Sequence, residues 1–159
     1  MSSIQDDARQ RRRLINTIKL TMRELSIQLS LLNHHVSTRV EIRDVDLDCL
    51  DLIARHGPVS PSVLARRSGL HPATMTGILD RLERGGWVAR ERDPDDRRAV
   101  LVRALRDRAG ELLRLYGPMD ASMDQICNGY ADAELRVLAD FLRRTADAGK
   151  AATEQLAGE

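Results

Sequence analysis

Two short stretches of this 159-residue chain carry side chains suited to a polyanion with a patterned surface. The first is HPATMTGILDR, residues 71–81. The hydroxyls of Thr74 and Thr76 suit base edges or phosphate oxygens, and the methyls of Ala73 and the threonines suit thymine methyls. Pro72, Gly77 and Arg81 complete that face. The second is RERDPDDRRAVLVR, residues 90–103, with five arginines and four acids around one proline. Arg90, Arg92, Arg97 and Arg98 are phosphate ligands by type, but the acids beside them would repel the same partner. Taken alone, the threonines read equally well as solvated helix positions.

Turn chemistry accounts for the acids. An aspartate opening a turn accepts from backbone N–H groups ahead of it, and proline presets φ at the next position. Asp93-Pro94-Asp95-Asp96 therefore reads as the turn of a hairpin, with strands over 87–92 and 99–104. The acids are scaffold and the arginines contacts.

These groups need elements to position them. VLARRSGLHPATMTGILDRL, residues 63–82, has the spacing of a helix-turn-helix. Ala65 is small where a second helix crosses, and Gly69 falls in the turn where a positive φ is expected. Leu64, Leu70, Met75 and Ile78 fill the angle between the helices. Pro72 suits the first position of the second helix, with Ser68 and His71 the polar residues before it. In such a motif the second helix puts its N-terminal residues on base edges in the major groove. Ser60, ahead of the first helix, joins the contact set.

Long helices flank this unit. Ile18, Met22, Leu25, Leu29, Leu32 and Val36 form one helical stripe, close to a coiled-coil seam. Leu105, Ala109, Leu112, Tyr116, Met119, Met123 and Ile126 form another, with Pro118 expected to bend it. Such stripes need long partner helices alongside. A helix over 46–55, capped by Asp46, separates the first arm from the helix-turn-helix; Asp107 is expected to cap the later arm, and a last helix follows Ala131. The tail from Ala148 is expected to fray. The chain thus reads as one domain, 1–159. Long helices over 8–42 and 105–148 flank a compact unit over 46–104.

Composition excludes other classes. The net charge is +1, with 25 Lys and Arg against 24 Asp and Glu, and the excess of positive charge falls in the middle third. No apolar run reaches the roughly 18–20 residues that cross a membrane, so a cytoplasmic chain without membrane contact is expected. Cys49 and Cys127 lack metal-ligand spacing. There is no Gly-rich phosphate loop and no nucleophilic triad pattern, so neither an enzyme nor a cofactor or metal is expected.

From LARRSGLHPATMTGILDRLERGGWVARERDPDDRRAVLV, residues 64–102, the chain resembles the MarR-type winged helix-turn-helix repressors. The likeness covers essentially the whole chain. It implies a mainly α fold with a small β-hairpin wing (α+β), 46–104 as the DNA-binding lobe, and a homodimer joined through the helices over 8–42 and 105–148 on a palindromic operator in double-stranded DNA. It also implies release by a small aromatic or phenolic effector, and that Asp96 holds the Arg98 side chain. The family's effector region would here involve Asn33, His34, His35, Arg39 and Cys49; histidines that are merely solvated or capping are the plainer reading. Gly77 departs from the family, which often has a larger polar residue there. Two other readings stay open: a winged-helix module for protein interaction, and a redox regulator sensing through Cys49.

Overall fold

A computed structural model describes residues 2–158. The elements are α1 (Ser2–Arg39), α2 (Asp44–His56), α3 (Pro61–Ser68), α4 (Pro72–Arg84), β1 (Val88–Arg92), β2 (Val100–Ala104), α5 (Arg106–Cys127) and α6 (Asp132–Ala157). The fold is mainly helical with one antiparallel hairpin, as the sequence predicts. The chain divides into two compact units, one ending at Asp48 and the other starting at Cys49.

In the first unit α1 runs without a break for 38 residues. Val36 and Val40 are buried near its end, whereas Ile18, Leu25 and Leu29 of the predicted stripe stand open to solvent. The turn after it passes through Glu41 at φ 58°, and the Ile42 N–H returns to the Ser37 carbonyl. The helix expected over 46–55 begins earlier, at Asp44. Asp46 is not the residue before the helix but lies in its first turn, 2% exposed. Two aspartates two residues apart both suit a helix start, and sequence alone does not choose between them.

The second unit is built around the helix-turn-helix. The Ser60 hydroxyl caps α3 by accepting from the Val63 N–H, and Gly69 ends it at φ 67°. That left-handed conformation is the one predicted for Gly69, where a side chain would be strained. His71 caps α4, its Nδ1 accepting from the Ala73 N–H at 3.2 Å, and Pro72 opens the helix. Leu64, Met75, Ile78, Leu79 and Leu82 are buried to 1% or less, and Ala65 to 4%. Leu70 is only half-buried.

β1 and β2 pair in register from Val88 opposite Ala104 to Arg92 opposite Val100. Val59 adds a single bridge to Val102, each N–H meeting the other's carbonyl at 3.0 and 2.8 Å. The hairpin is thereby pinned to the segment before α3. Val88 and Val102 close the core from this side.

Two boundaries differ from expectation. Asp107 lies within the first turn of α5; the capping position is Leu105, which has no side chain able to cap. Its N–H donates to the Trp87 carbonyl at 2.8 Å, so the sheet rather than a polar cap sets where α5 begins. The end expected to fray is helical: α6 continues to Ala157, because alanine, lysine, glutamine and glutamate favour helix. Pro118 sits inside α5 without ending it. Among the described residues, no helix is long and apolar enough to cross a membrane.

Candidate nucleic-acid interface

The N-terminal half of α4 presents Pro72, Ala73, Thr74 and Thr76 to solvent, while Met75, Ile78 and Leu79 on its other face are fully buried. One face anchors the helix and the other is free for a partner. The Thr76 hydroxyl donates back to the Pro72 carbonyl at 3.0 Å, which leaves its oxygen as an acceptor. Ser60 is occupied as a cap and pairs with the Ser62 hydroxyl at 3.1 Å.

Gly77 lies in the middle of this helix. A Cβ built there would meet only the Arg81 Nη1, at 3.6 Å, an ordinary contact with a movable group. Gly77→Ala is therefore expected to stabilise the protein by about 1 kcal/mol, read as a higher urea midpoint. A lower midpoint would show that the helix cannot take the methyl. Tighter folding with weaker DNA binding would instead mark Gly77 as a point of close approach to the duplex.

The wing turn folds as the aspartates predict, with one change. Asp93 Oδ1 accepts from the Asp95 N–H at 2.8 Å, and the Ala99 N–H reaches the Asp96 carbonyl at 2.9 Å. Asp96 Oδ1 accepts from the backbone N–H of Arg98 at 3.0 Å, rather than from its guanidinium. The carboxylate fixes where the Arg98 backbone lies and leaves the side chain to reach outward. Arg92, Arg97 and Arg98 are exposed.

Arg90 behaves differently from its neighbours. It reaches Asp80 at 2.7 Å and also pairs with Glu83, both on α4, while its N–H donates to Glu83 at 3.2 Å. Burial opposes its charge, but the hydrogen bonds to Asp80 and Glu83 prevail and hold the guanidinium above its usual pKa. Grouped by sequence with the phosphate ligands, Arg90 instead ties the first wing strand to α4. Asp80 and Glu83, three apart on one helix face, are the signal for this. Arg103 likewise pairs with Glu91 across the strands at 2.9 Å.

The residues assigned to an effector region sit as follows. His34 Nδ1 lies 2.9 Å from Asp44 Oδ2, and Ser37, 1% exposed, donates to the same carboxylate. The triad types absent from the sequence as a motif thus meet in space. The carboxylate stands between hydroxyl and imidazole, so the ring is not placed to take the serine proton, and the group staples α1 to α2. His35 and Arg39 are exposed, and Asn33 is half-buried. The His35 ring centroid lies 5.9 Å from that of His34. Cys49 is buried to 1%, away from the solvent that an oxidant-sensing thiol needs.

The hydrogen bond from Ser37, then that from His34, hold the Asp44 carboxyl below its ordinary 3.8. A depressed carboxyl contributes stability that is fully present above its unfolded value and lost as pH falls through the folded one. The stability gap between wild type and Asp44→Asn is therefore expected to close only below pH 3.8, in urea titrations across pH 2–6. A gap independent of pH over that range would remove the ionised carboxylate from the staple.

Comparison with known proteins adds an independent line. The model of the MarR family matches residues 42–100. The uncharacterized HTH-type transcriptional regulator YcgE of Bacillus subtilis is 30% identical over 146 residues, 92% of this chain and 95% of its own. The HTH-type transcriptional repressor YetL of the same organism is 28% identical over 95 residues, 57% of each chain. Among solved structures, a mutant of MepR from a multidrug resistant S. aureus clinical isolate superposes with a TM-score of 0.71 at 14% identity, covering 82% of this chain and 96% of that one. That likeness speaks to the fold alone.

Proposed function

Since the chain belongs to the MarR family of winged-helix transcriptional regulators, and is a DNA-binding regulator rather than an enzyme, we propose that it is a repressor acting as a homodimer on a palindromic operator. The observation that carries this is α4: a helix buried along Met75, Ile78 and Leu79, with Pro72, Ala73, Thr74 and Thr76 all exposed at its leading end. In this reading those four residues meet base edges in the major groove, with Gly77 and Arg81 beside them. Ser60, Arg92 and Arg97 meet phosphate and Arg98 enters the minor groove, while Arg90 and Asp96 hold the wing in place. The relative YetL is named a repressor, which supports the sign of regulation.

The dimer is supported by apolar side chains left open in a single chain: Leu25 and Leu29 on α1, Leu113, Met123 and Ile126 on α5, and Leu138 and Leu142 on α6. Surfaces of that kind mark an association site. An aromatic or phenolic acid meeting Asn33, His34, His35 or Arg39 is the effector this reading favours.

Gel-shift titration against the intergenic DNA beside the protein's own gene tests the central claim, with a scrambled duplex as control. Specific binding is expected at moderate salt, and no shift even at low salt would sink the reading in favour of a protein-interaction module. Light scattering at micromolar concentration should give twice the chain mass.

A further inference from the structure

One side chain, Arg108 in the first turn of α5, gathers contacts that the DNA-reading elements do not otherwise explain. Its guanidinium carbon stands 3.8 Å from the centre of the Trp87 ring. Its Nη1 donates to the Gly85 carbonyl at 2.8 Å. Its Nε and Nη2 meet the two carboxylate oxygens of Glu111 at 3.1 and 3.0 Å. Face, tip and fork of one planar cation are all engaged, an arrangement that suits arginine and not lysine.

The place it grips matters. Only Gly85 and Gly86 stand between the end of α4 and Trp87, and β1 starts at the next residue. The two DNA-facing elements therefore diverge from the very segment that Arg108 holds. The glycines permit the grip: a Cβ at Gly85 would lie 2.9 Å from Trp87 Cδ1, and Gly86 turns at φ 73°. Trp87 is 2% exposed, and among the described residues its indole N–H has no partner, so nothing polar on the ring itself fixes it. Leu105, next to α5, is bonded to the Trp87 carbonyl, which makes the junction two-sided.

We propose that Arg108 is a positioning residue for DNA binding: by clamping Trp87 and Gly85 it fixes the angle between the recognition helix and the wing, and ties that angle to α5. The proposal rests on the DNA-binding reading above. Arg108 does not itself bind phosphate in this account, because its charge is matched by Glu111 and its face is covered by the indole. Movement of α5 would then reach both reading elements through one joint.

The test compares Arg108→Met, which keeps length over the ring but loses charge and donors, with Arg108→Lys and with Glu111→Gln in the full chain. Arg108→Met is expected to weaken operator binding about tenfold, with the Lys and Gln variants between it and wild type. The dependence of affinity on salt should keep its wild-type slope. A slope reduced by about one would make Arg108 a direct phosphate ligand and overturn the proposal. Two readouts need no DNA. Trp87 is the only tryptophan, so its emission should shift to the red and quench more readily with acrylamide. Amide exchange in β1 and β2 should quicken. Faster exchange with unchanged affinity would reduce the clamp to a stabilising contact, and unchanged emission and exchange would abolish it. If the wild-type chain binds no operator, the DNA reading falls, and exchange and emission still decide whether the clamp sets the wing. Should Arg108→Met fail to fold, Glu111→Gln carries the same comparisons.

Discussion

Arg98→Ala is expected to weaken operator binding by about ten- to a hundredfold, which is the loss of one well-placed groove arginine. Arg98 is exposed, and among the described residues its guanidinium has no partner inside the protein. Its backbone, by contrast, is fixed by Asp96. That arrangement separates two roles that a charge count would merge. Asp96→Ala should weaken binding as well, although it removes a negative charge, because the turn loses the acceptor that places Arg98. Asp96→Asn keeps an oxygen that can accept the same N–H, so it should bind nearly as well as wild type. Fluorescence anisotropy with a labelled operator duplex at fixed salt resolves all three. Tighter binding by Asp96→Ala would mean that bulk electrostatics outweighs turn geometry.

Trp87→Ala is expected to lower unfolding free energy by about 3–5 kcal/mol, the cost of a large cavity in a core that cannot fully collapse. Trp87 is 2% exposed and carries Arg108 on one face. Trp87→Phe should cost far less than alanine. It keeps most of the apolar contact and removes an indole N–H that is buried without a partner, a group whose burial is itself unfavourable by about 1–3 kcal/mol. Urea unfolding followed by circular dichroism, at one protein concentration, measures both. Equal losses for the two variants, which both delete the N–H, would refute the cavity as the source of the cost.

The part of the fold legible in the residues is the part governed by local sterics. Gly69 at positive φ, Pro72 opening α4 and the small Ala65 each have one plausible place in a helix-turn-helix, and each is found there. The wing strands are legible from alternation and from the Asp-Pro turn. Less legible is what depends on which distant groups meet. Arg90 looks like its neighbours in sequence, and only the packing of β1 on α4 gives it Asp80 and Glu83. The Arg108 clamp joins residues far apart in the chain; its one trace in the sequence is a pair of glycines ahead of a tryptophan. Helix ends are hard to place where two candidates compete, as with Asp44 and Asp46, or where a main-chain bond replaces a side-chain cap, as at Leu105.

The pairing of Arg90 with Asp80 and Glu83, and of Arg103 with Glu91, has a physiological side. Arginines already neutralised within the protein displace few counterions from a duplex, so they add little to the salt sensitivity of binding. The salt sensitivity that remains would come from the exposed Arg92, Arg97 and Arg98, so binding would lose less affinity as salt rises than the number of wing arginines suggests.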